Sequence, residues 1–183
     1  MKIRPLNDYS EHDVINFFAL DTATGAAGTL VKVKGSGFLN DANLTISQDM
    51  STIKNAYIPR WEVPHKVTRV SSGELPLGFL RFEVKEVNFE GVSFKHDPTR
   101  KAEAQVVCSG EAVPVVRKGL FLVGDWPSGQ VPLPGKAVVA LDNGDWGVRS
   151  ASASGDANVF GQCLGALDSK GDALVVVDFN RAR

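Results

Sequence analysis

Pro134-Gly135-Lys136-Ala137-Val138-Val139-Ala140-Leu141-Asp142-Asn143-Gly144-Asp145-Trp146-Gly147-Val148-Arg149-Ser150 is the stretch from which the fold is read. A Pro-Gly pair opens it, and a short run of Val and Ala follows. Asp142-Asn143-Gly144-Asp145 is the strongest tight-turn signal in the chain, because Asn-Gly accepts the positive φ that a β-hairpin needs. Residues 146–150 then read as the returning strand. A calcium loop is the competing reading of this acidic turn. It requires a bidentate Glu late in the loop and flanking helices, and neither is present.

The same texture extends outward in both directions. Downstream, residues 150–155 form a small-residue loop, and residues 160–167 and 174–179 read as the last two strands, joined across 168–172. Upstream, residues 79–87 alternate apolar and polar after Leu80, the pattern of a strand with one wet face. His96-Asp97-Pro98 reads as a turn, 104–108 as a strand, and 113–123 as a longer one. Pro114 places the start of that strand at an entry or an edge rather than at a central position. Near the N-terminus, 14–20 and 29–34 flank the small-residue loop 21–28 and read as a hairpin. Alternatively, Ser10-Glu11-His12-Asp13 caps a short helix starting near Val14.

Gly35-Ser36-Gly37 marks a break, and residues 38–76 are the least legible part. Pro59 and Pro64 flank Arg60-Trp61-Glu62-Val63, which points to extended, irregular chain. The expected architecture is all-β: an antiparallel β-sandwich or barrel. Residues 1–37 are expected as an N-terminal arm or hairpin and 38–183 as the β-domain, with 38–76 an irregular insertion. No period of 20–50 residues repeats, which excludes a solenoid or propeller.

At 183 residues the chain is long enough to bury a core without disulfides or a metal. Hydrophobic residues at 43% and charged residues at 22% argue against wholesale disorder. The formal net charge of −1, from 20 basic and 21 acidic residues, leaves no basic footprint for nucleic acid. The densest basic clusters, Arg117-Lys118 and Arg181/Arg183, are too small for one. Cys108 and Cys163 lie in apolar, strand-like contexts and read as two buried thiols of a reducing compartment, although a disulfide between them stays open. No signal peptide is expected from Met1-Lys2-Ile3-Arg4-Pro5, and no run approaches the length of a membrane helix. The expectation is synthesis in the cytoplasm and no membrane partner.

Catalysis needs a nucleophile, a base, a charge stabiliser or a metal brought together. His12, His65 and His96 have no metal-ligand spacing. Gly35-Ser36-Gly37 follows a strand but lacks the third glycine and the helix of a dinucleotide loop. There is no phosphate-binding loop and no nucleophile elbow. The reading is a non-enzymatic protein with no metal and no cofactor.

Aromatic side chains are the remaining candidates for function. Trp126 and Trp146 stand beside turns, and Trp61 lies between two prolines. Such residues serve either as core or subunit-interface plugs or as anchors for an external partner. Together with Phe17 and Phe18 of the N-terminal segment, they are the expected contacts to a partner or to another subunit.

Residues 115–179 carry a recognisable rhythm. Pro134-Gly135-Lys136-Ala137-Val138 opens a strand, and Asp142-Asn143-Gly144 turns it. Ser150-Ala151-Ser152-Ala153-Ser154-Gly155 follows, then a Gly-x-x-Leu-Gly-x-Leu strand within 159–167, and finally the strand 174–179. This pattern resembles the bacteriophage capsid decoration (cement) proteins, over about a third of the chain. The resemblance rests on strand–turn rhythm and small-residue placement and carries over no catalytic residue. Residues 38–76 depart from the compact family pattern.

The resemblance implies a structural virion protein on the capsid surface. Its partners would be the major capsid protein and further copies of itself, a trimer being favoured, with an N-terminal arm adding to a neighbour's sheet edge. Two alternatives stand beside it. One is another virion component such as a tail-tube, fibre-base or head-completion protein. The other is a β-barrel ligand-binding module or enzyme with a pocket near Trp61 or Trp126.

Overall fold

The computed structural model describes residues 1–6, 13–35, 65–150 and 159–179. Trp61, His12, most of the 38–76 segment, the 151–155 loop and the C-terminal arginines therefore lie outside the described residues.

The described chain is an all-β sandwich. The first sheet has six strands, all antiparallel, in the order β1-β10-β14-β13-β11-β12. Its members are β1 (Lys2–Pro5), β10 (Lys118–Gly124), β11 (Ala137–Ala140), β12 (Trp146–Arg149), β13 (Val159–Cys163) and β14 (Ala173–Asp178). The second sheet also has six strands, in the order β2-β9-β6-β4-β5-β3. These are β2 (Val14–Ile15), β3 (Ala19–Leu20), β4 (Leu30–Val33), β5 (Lys66–Arg69), β6 (Gly78–Leu80) and β9 (Val115–Val116). Only the β3–β5 pair in it is parallel. A small parallel pair, β7 (Glu83–Val84) with β8 (Val106–Val107), makes a third layer.

The layering explains the sequence pattern. The second sheet is buried on both faces. Leu30, Phe79 and Val116 point into the core shared with the first sheet, where they meet Phe121, Val123, Trp146, Phe160, Val175 and Val177. Their immediate neighbours Val31, Leu80 and Val115 point the other way, into a second core with Val67, Val84, Val107 and Val113. A strand buried on both faces needs consecutive apolar residues, which is why Leu30-Val31, Phe79-Leu80 and Val115-Val116 do not alternate. By contrast, β14 alternates buried and more accessible positions, because its sheet packs on one side only.

The run 113–123 divides between the two sheets. β9 belongs to one sheet and β10 to the other, and the chain crosses at Arg117. The Arg117 N–H donates to the Asp13 carbonyl at 2.7 Å, and its carbonyl accepts from the Phe179 N–H at 2.9 Å, so this backbone unit stitches both sheets together. Pro114 sits at the strand entry, as its missing N–H requires.

Three expectations about residues 1–76 change. The hairpin between 14–20 and 29–34 does not form, because β3 and β4 both flank β5 instead of each other. The described part of 1–37 is not a separate arm: β1 lies in the first sheet and β2, β3 and β4 in the second. The described end of 38–76 is not irregular, since β5 is an inner strand of the second sheet. In each case the pairing partner lies far along the chain, where local pattern carries no information. The Asp97-Pro98 pair, read as a turn, opens a short helix, α1 (Pro98–Glu103). The Asp97 carboxylate accepts from the Arg100 N–H at 3.0 Å, and Pro98 occupies the first turn.

The Asn143-Gly144 turn forms as expected, with φ of 62° and 79°, and joins β11 to β12. Asn143 tolerates this region because its short polar side chain suits it. We expect Asn143→Val to lower stability by about 1–2 kcal/mol and Asn143→Gly to be near neutral. Urea unfolding of the two variants checks this, and equal losses in both would refute the turn's dependence on positive φ.

Candidate functional site

No group of three or more His, Cys, Asp or Glu side chains converges on a point among the described residues. No helix among them is long and apolar enough to cross a membrane. The surface instead offers three features: an apolar outer sheet face, a cleft at the sandwich opening, and a protruding aromatic.

The outer face of the first sheet is built by cross-strand pairing. Leu120 stands opposite Val176, and Leu122 opposite Leu174. Leu6 extends the first row, its N–H donating to the Leu120 carbonyl at 2.9 Å, and Leu164 extends the second, donating to the Leu174 carbonyl at 2.8 Å. Leu6, Leu164 and Val176 are exposed and the other three half-buried. Gln162 opposite Val176 and Lys118 opposite Asp178 supply a polar border. A contiguous apolar patch rimmed by polar groups is the usual form of an interaction surface.

Each edge of this sheet carries a feature that discourages strand addition. The register turns the backbone amides of Lys2, Arg4 and Leu6 toward β10, so Ile3 and Pro5 present theirs outward, and Pro5 has no N–H to give. Ion pairs of Arg4 with Asp172 and of Lys2 with Asp125 also hold β1 in place. At the other edge the outward Val148 N–H donates to Gln130 Oε1 at 2.7 Å. Strand addition by the described N-terminal residues, expected above, is thus replaced by pairing within the chain's own sheet.

The cleft, of about 180 Å³, opens where the two sheets part beside β1. Ile3 and Pro5 form one wall, Ala27 and Gly28 the rim, and Phe79, Phe82 and Phe121 much of the interior. Arg81 is its one charged lining residue among the described residues, with its guanidinium 4.9 Å from the centre of the Phe82 ring.

The protruding aromatic is Phe89, 92% exposed at the tip of the 87–93 turn. Asn88 fixes the tip: its side-chain oxygen accepts from the Glu90 and Val92 N–H groups at 2.8 and 2.9 Å. Glu90 pairs with Arg100 of α1 at 3.3 Å. A wider groove of about 500 Å³ lies between this tip and α1.

The expected contact residues are dispersed. Phe17 is 62% exposed, whereas its neighbour Phe18 is buried in the second core. Trp126 is half-buried against the main core and donates its indole N–H to the Val123 carbonyl at 2.9 Å. Trp146 is fully buried and presents no surface to a partner. Of these four, Phe17 alone is mostly accessible. Sequence reading missed Phe89 and the outer face. The signal for Phe89 was present, since an aromatic between Asn88 and Glu90-Gly91 sits in a turn, where a side chain has little to pack on.

Cys108 and Cys163 are buried and unpaired. Burial pushes the Cys163 thiol up to about 11, and burial followed by the nearby Glu111 carboxylate raises that of Cys108. Neither is expected to react with a thiol reagent at pH 8 until the protein unfolds, when both should. The unfolded Cys163 thiol ionises near 9.0 and the folded one near 11, so the unfolded state loses its proton first. Stability therefore falls as pH rises through that window. Fast labelling of the native protein would refute this.

Comparison with family models, with curated proteins and with solved structures finds no match to this chain.

Proposed function

We propose that this chain is a structural virion protein that binds the outer surface of a bacteriophage capsid and stabilises the shell. The observation that carries the reading is the coincidence of two features in one sheet. The segment 115–179, whose rhythm resembles the decoration proteins, contributes five of the first sheet's six strands, β10 to β14. The outer face of that same sheet bears the Leu120, Leu122, Leu174 and Val176 patch. An apolar face with a polar border suits docking on an extended protein lattice. The proline in the β1 edge and the near-zero net charge suit many copies crowded without aggregation or strong repulsion.

In this reading the partners are the major capsid protein and further copies of the chain, with a trimer as the favoured oligomer. The test is co-sedimentation with capsids that lack the protein, counting copies bound per shell. We expect saturation at a simple ratio to the major capsid protein, and at least ~10-fold weaker binding when Leu122 or Val176 is changed to Asp, from loss of apolar contact and burial of a charge. Absence of binding, or a handful of copies at one vertex, would favour a tail or head-completion role instead.

A further inference from the structure

We propose that Asn143 is a modification site, hydrolysed through a succinimide to aspartate and isoaspartate whenever the β11–β12 turn leaves the second sheet, and that the docked turn holds this reaction off. The inference is independent of the capsid reading. It starts from Asn143-Gly144, the one Asn-Gly pair in the chain. Ring closure needs the backbone nitrogen of the next residue to reach the side-chain carbonyl carbon, and glycine puts no side chain in its way. The Gly144 nitrogen bonds to Cγ of Asn143, the carboxamide nitrogen leaves as ammonia, and the Gly144 amide proton ends on that ammonia. Water then adds to one of the two imide carbonyls and breaks one C–N bond. Cleavage at Cγ gives aspartate. Cleavage at the backbone carbonyl gives isoaspartate, with the chain now running through the former side chain.

The folded turn blocks the first step. Gly144 is buried, and its N–H donates to the Val70 carbonyl at 2.9 Å, so solvent base does not reach that proton. Asn143 has φ 62° and ψ 15°. The five-membered ring brings the Gly144 nitrogen over Cβ, at a ψ of about −120°, the value at the first central residue of a type II′ turn. The φ already suits the ring, but ψ must swing by roughly 135°, which turns the Asn143–Gly144 peptide over and breaks the bond to Val70. The swing has no room in place, because Gly144 lies so close to β4 that an added Cβ would be 2.6 Å from the Leu30 carbonyl oxygen. A second bond, from the Ser72 N–H to Asp142 Oδ1 at 2.9 Å, holds the turn to the same segment. The Asn143 side chain itself is exposed, so water is at hand and only release of the turn is missing. The rate in the folded protein is therefore the open-chain rate multiplied by the fraction of time the turn is open. Isoaspartate makes the step one-way. It adds a methylene to the backbone and a carboxylate between Asp142 and Asp145, so the Gly144 N–H no longer falls opposite Val70. Openings of this turn thus set a limit on the lifetime of the fold.

The experiment is peptide mapping by mass spectrometry on the full chain at mildly alkaline pH, kept native or held in concentrated urea. The synthetic peptide Leu141-Asp142-Asn143-Gly144-Asp145-Trp146 supplies the open-chain rate. Isoaspartate at 143 is expected at similar rates in the peptide and the unfolded chain, and at least ~10-fold more slowly in the native protein. A native rate within ~2-fold of the peptide's overturns the gate, and an unfolded chain that keeps Asn143 intact overturns the site. Refolding reads the one-way step. After ageing in urea and dilution, the fraction of wild type that recovers the native melting curve should fall in step with isoaspartate at 143. Asn143→Gly, which keeps the positive φ but has no carboxamide, should recover in full over the same time. Equal losses in the two chains overturn the claim that modification at 143 prevents the turn from docking again.

Discussion

Trp146→Ala is expected to destabilise the fold by about 3–5 kcal/mol, the range for removing a fully buried large aromatic. The side chain is entirely inaccessible at the start of β12 and lies at the centre of a ring cluster. It meets Phe79 edge-on at 5.4 Å and Phe160 at 5.1 Å, and Phe160 in turn stacks on Phe179 at 4.7 Å. Phe79 comes from the second sheet and Trp146 from the first, so the contact joins the two layers. The indole N–H also donates to the Gly28 carbonyl at 2.7 Å, a buried bond to the loop that enters β4. Alanine would leave a cavity, separate the rings and strand that carbonyl.

Trp146→Phe separates the two effects. It keeps most of the ring contacts but not the donor, and should cost about 1–3 kcal/mol for the unsatisfied carbonyl and the smaller ring. Urea titrations with unchanged slope would give both values. A loss below about 1 kcal/mol for the alanine variant would mean that Trp146 does not couple the sheets.

Gly144→Ala is the second large effect, expected at about 2–5 kcal/mol from a left-handed backbone strain and a steric clash together. Gly144 has φ of +79°, and a Cβ there would lie 2.6 Å from the Leu30 backbone oxygen. Its own N–H donates to the Val70 carbonyl at 2.9 Å, tying the β11–β12 turn to the second sheet beside β4 and β5. The turn is thus a second bolt between the layers, and backbone cannot retreat as a flexible side chain would. Alanine at Gly135, with φ of +84° but open space around it, is the control: it carries the strain without the clash. The Gly135 variant should lose clearly less than the Gly144 variant, and equal losses would show that strain alone accounts for both.

The functional surfaces were less legible than the turns. The outer face depends on Leu120 meeting Val176 and Leu122 meeting Leu174 across β10 and β14, over fifty residues apart in the chain. In the sequence these residues look like core, because β-alternation shows that two faces differ without showing which one a second layer covers. The cleft is assembled from β1, the loop before β4, β6 and β10, and no local pattern could announce it. The prominence given to tryptophan misplaced Trp146, because a large ring beside a tight turn is buried or exposed according to what packs over the turn, here the Leu30 and Val70 backbone of the other sheet.

What the sequence determined by itself is therefore local: the all-β class, the Asn143-Gly144 hairpin, the β13–β14 strands, the strand entry after Pro114 and the two buried thiols. Each follows from backbone preference or from the period of the side chains, properties set within a few residues. Tertiary structure decided the rest. It placed β1 in the first sheet and β3 beside β5, divided the run 113–123 between layers, buried the second sheet on both faces, and left Phe89 and one face of the first sheet uncovered by the described residues. Those outcomes depend on which distant strand offers the better partner, and that is fixed only when the whole core packs at once.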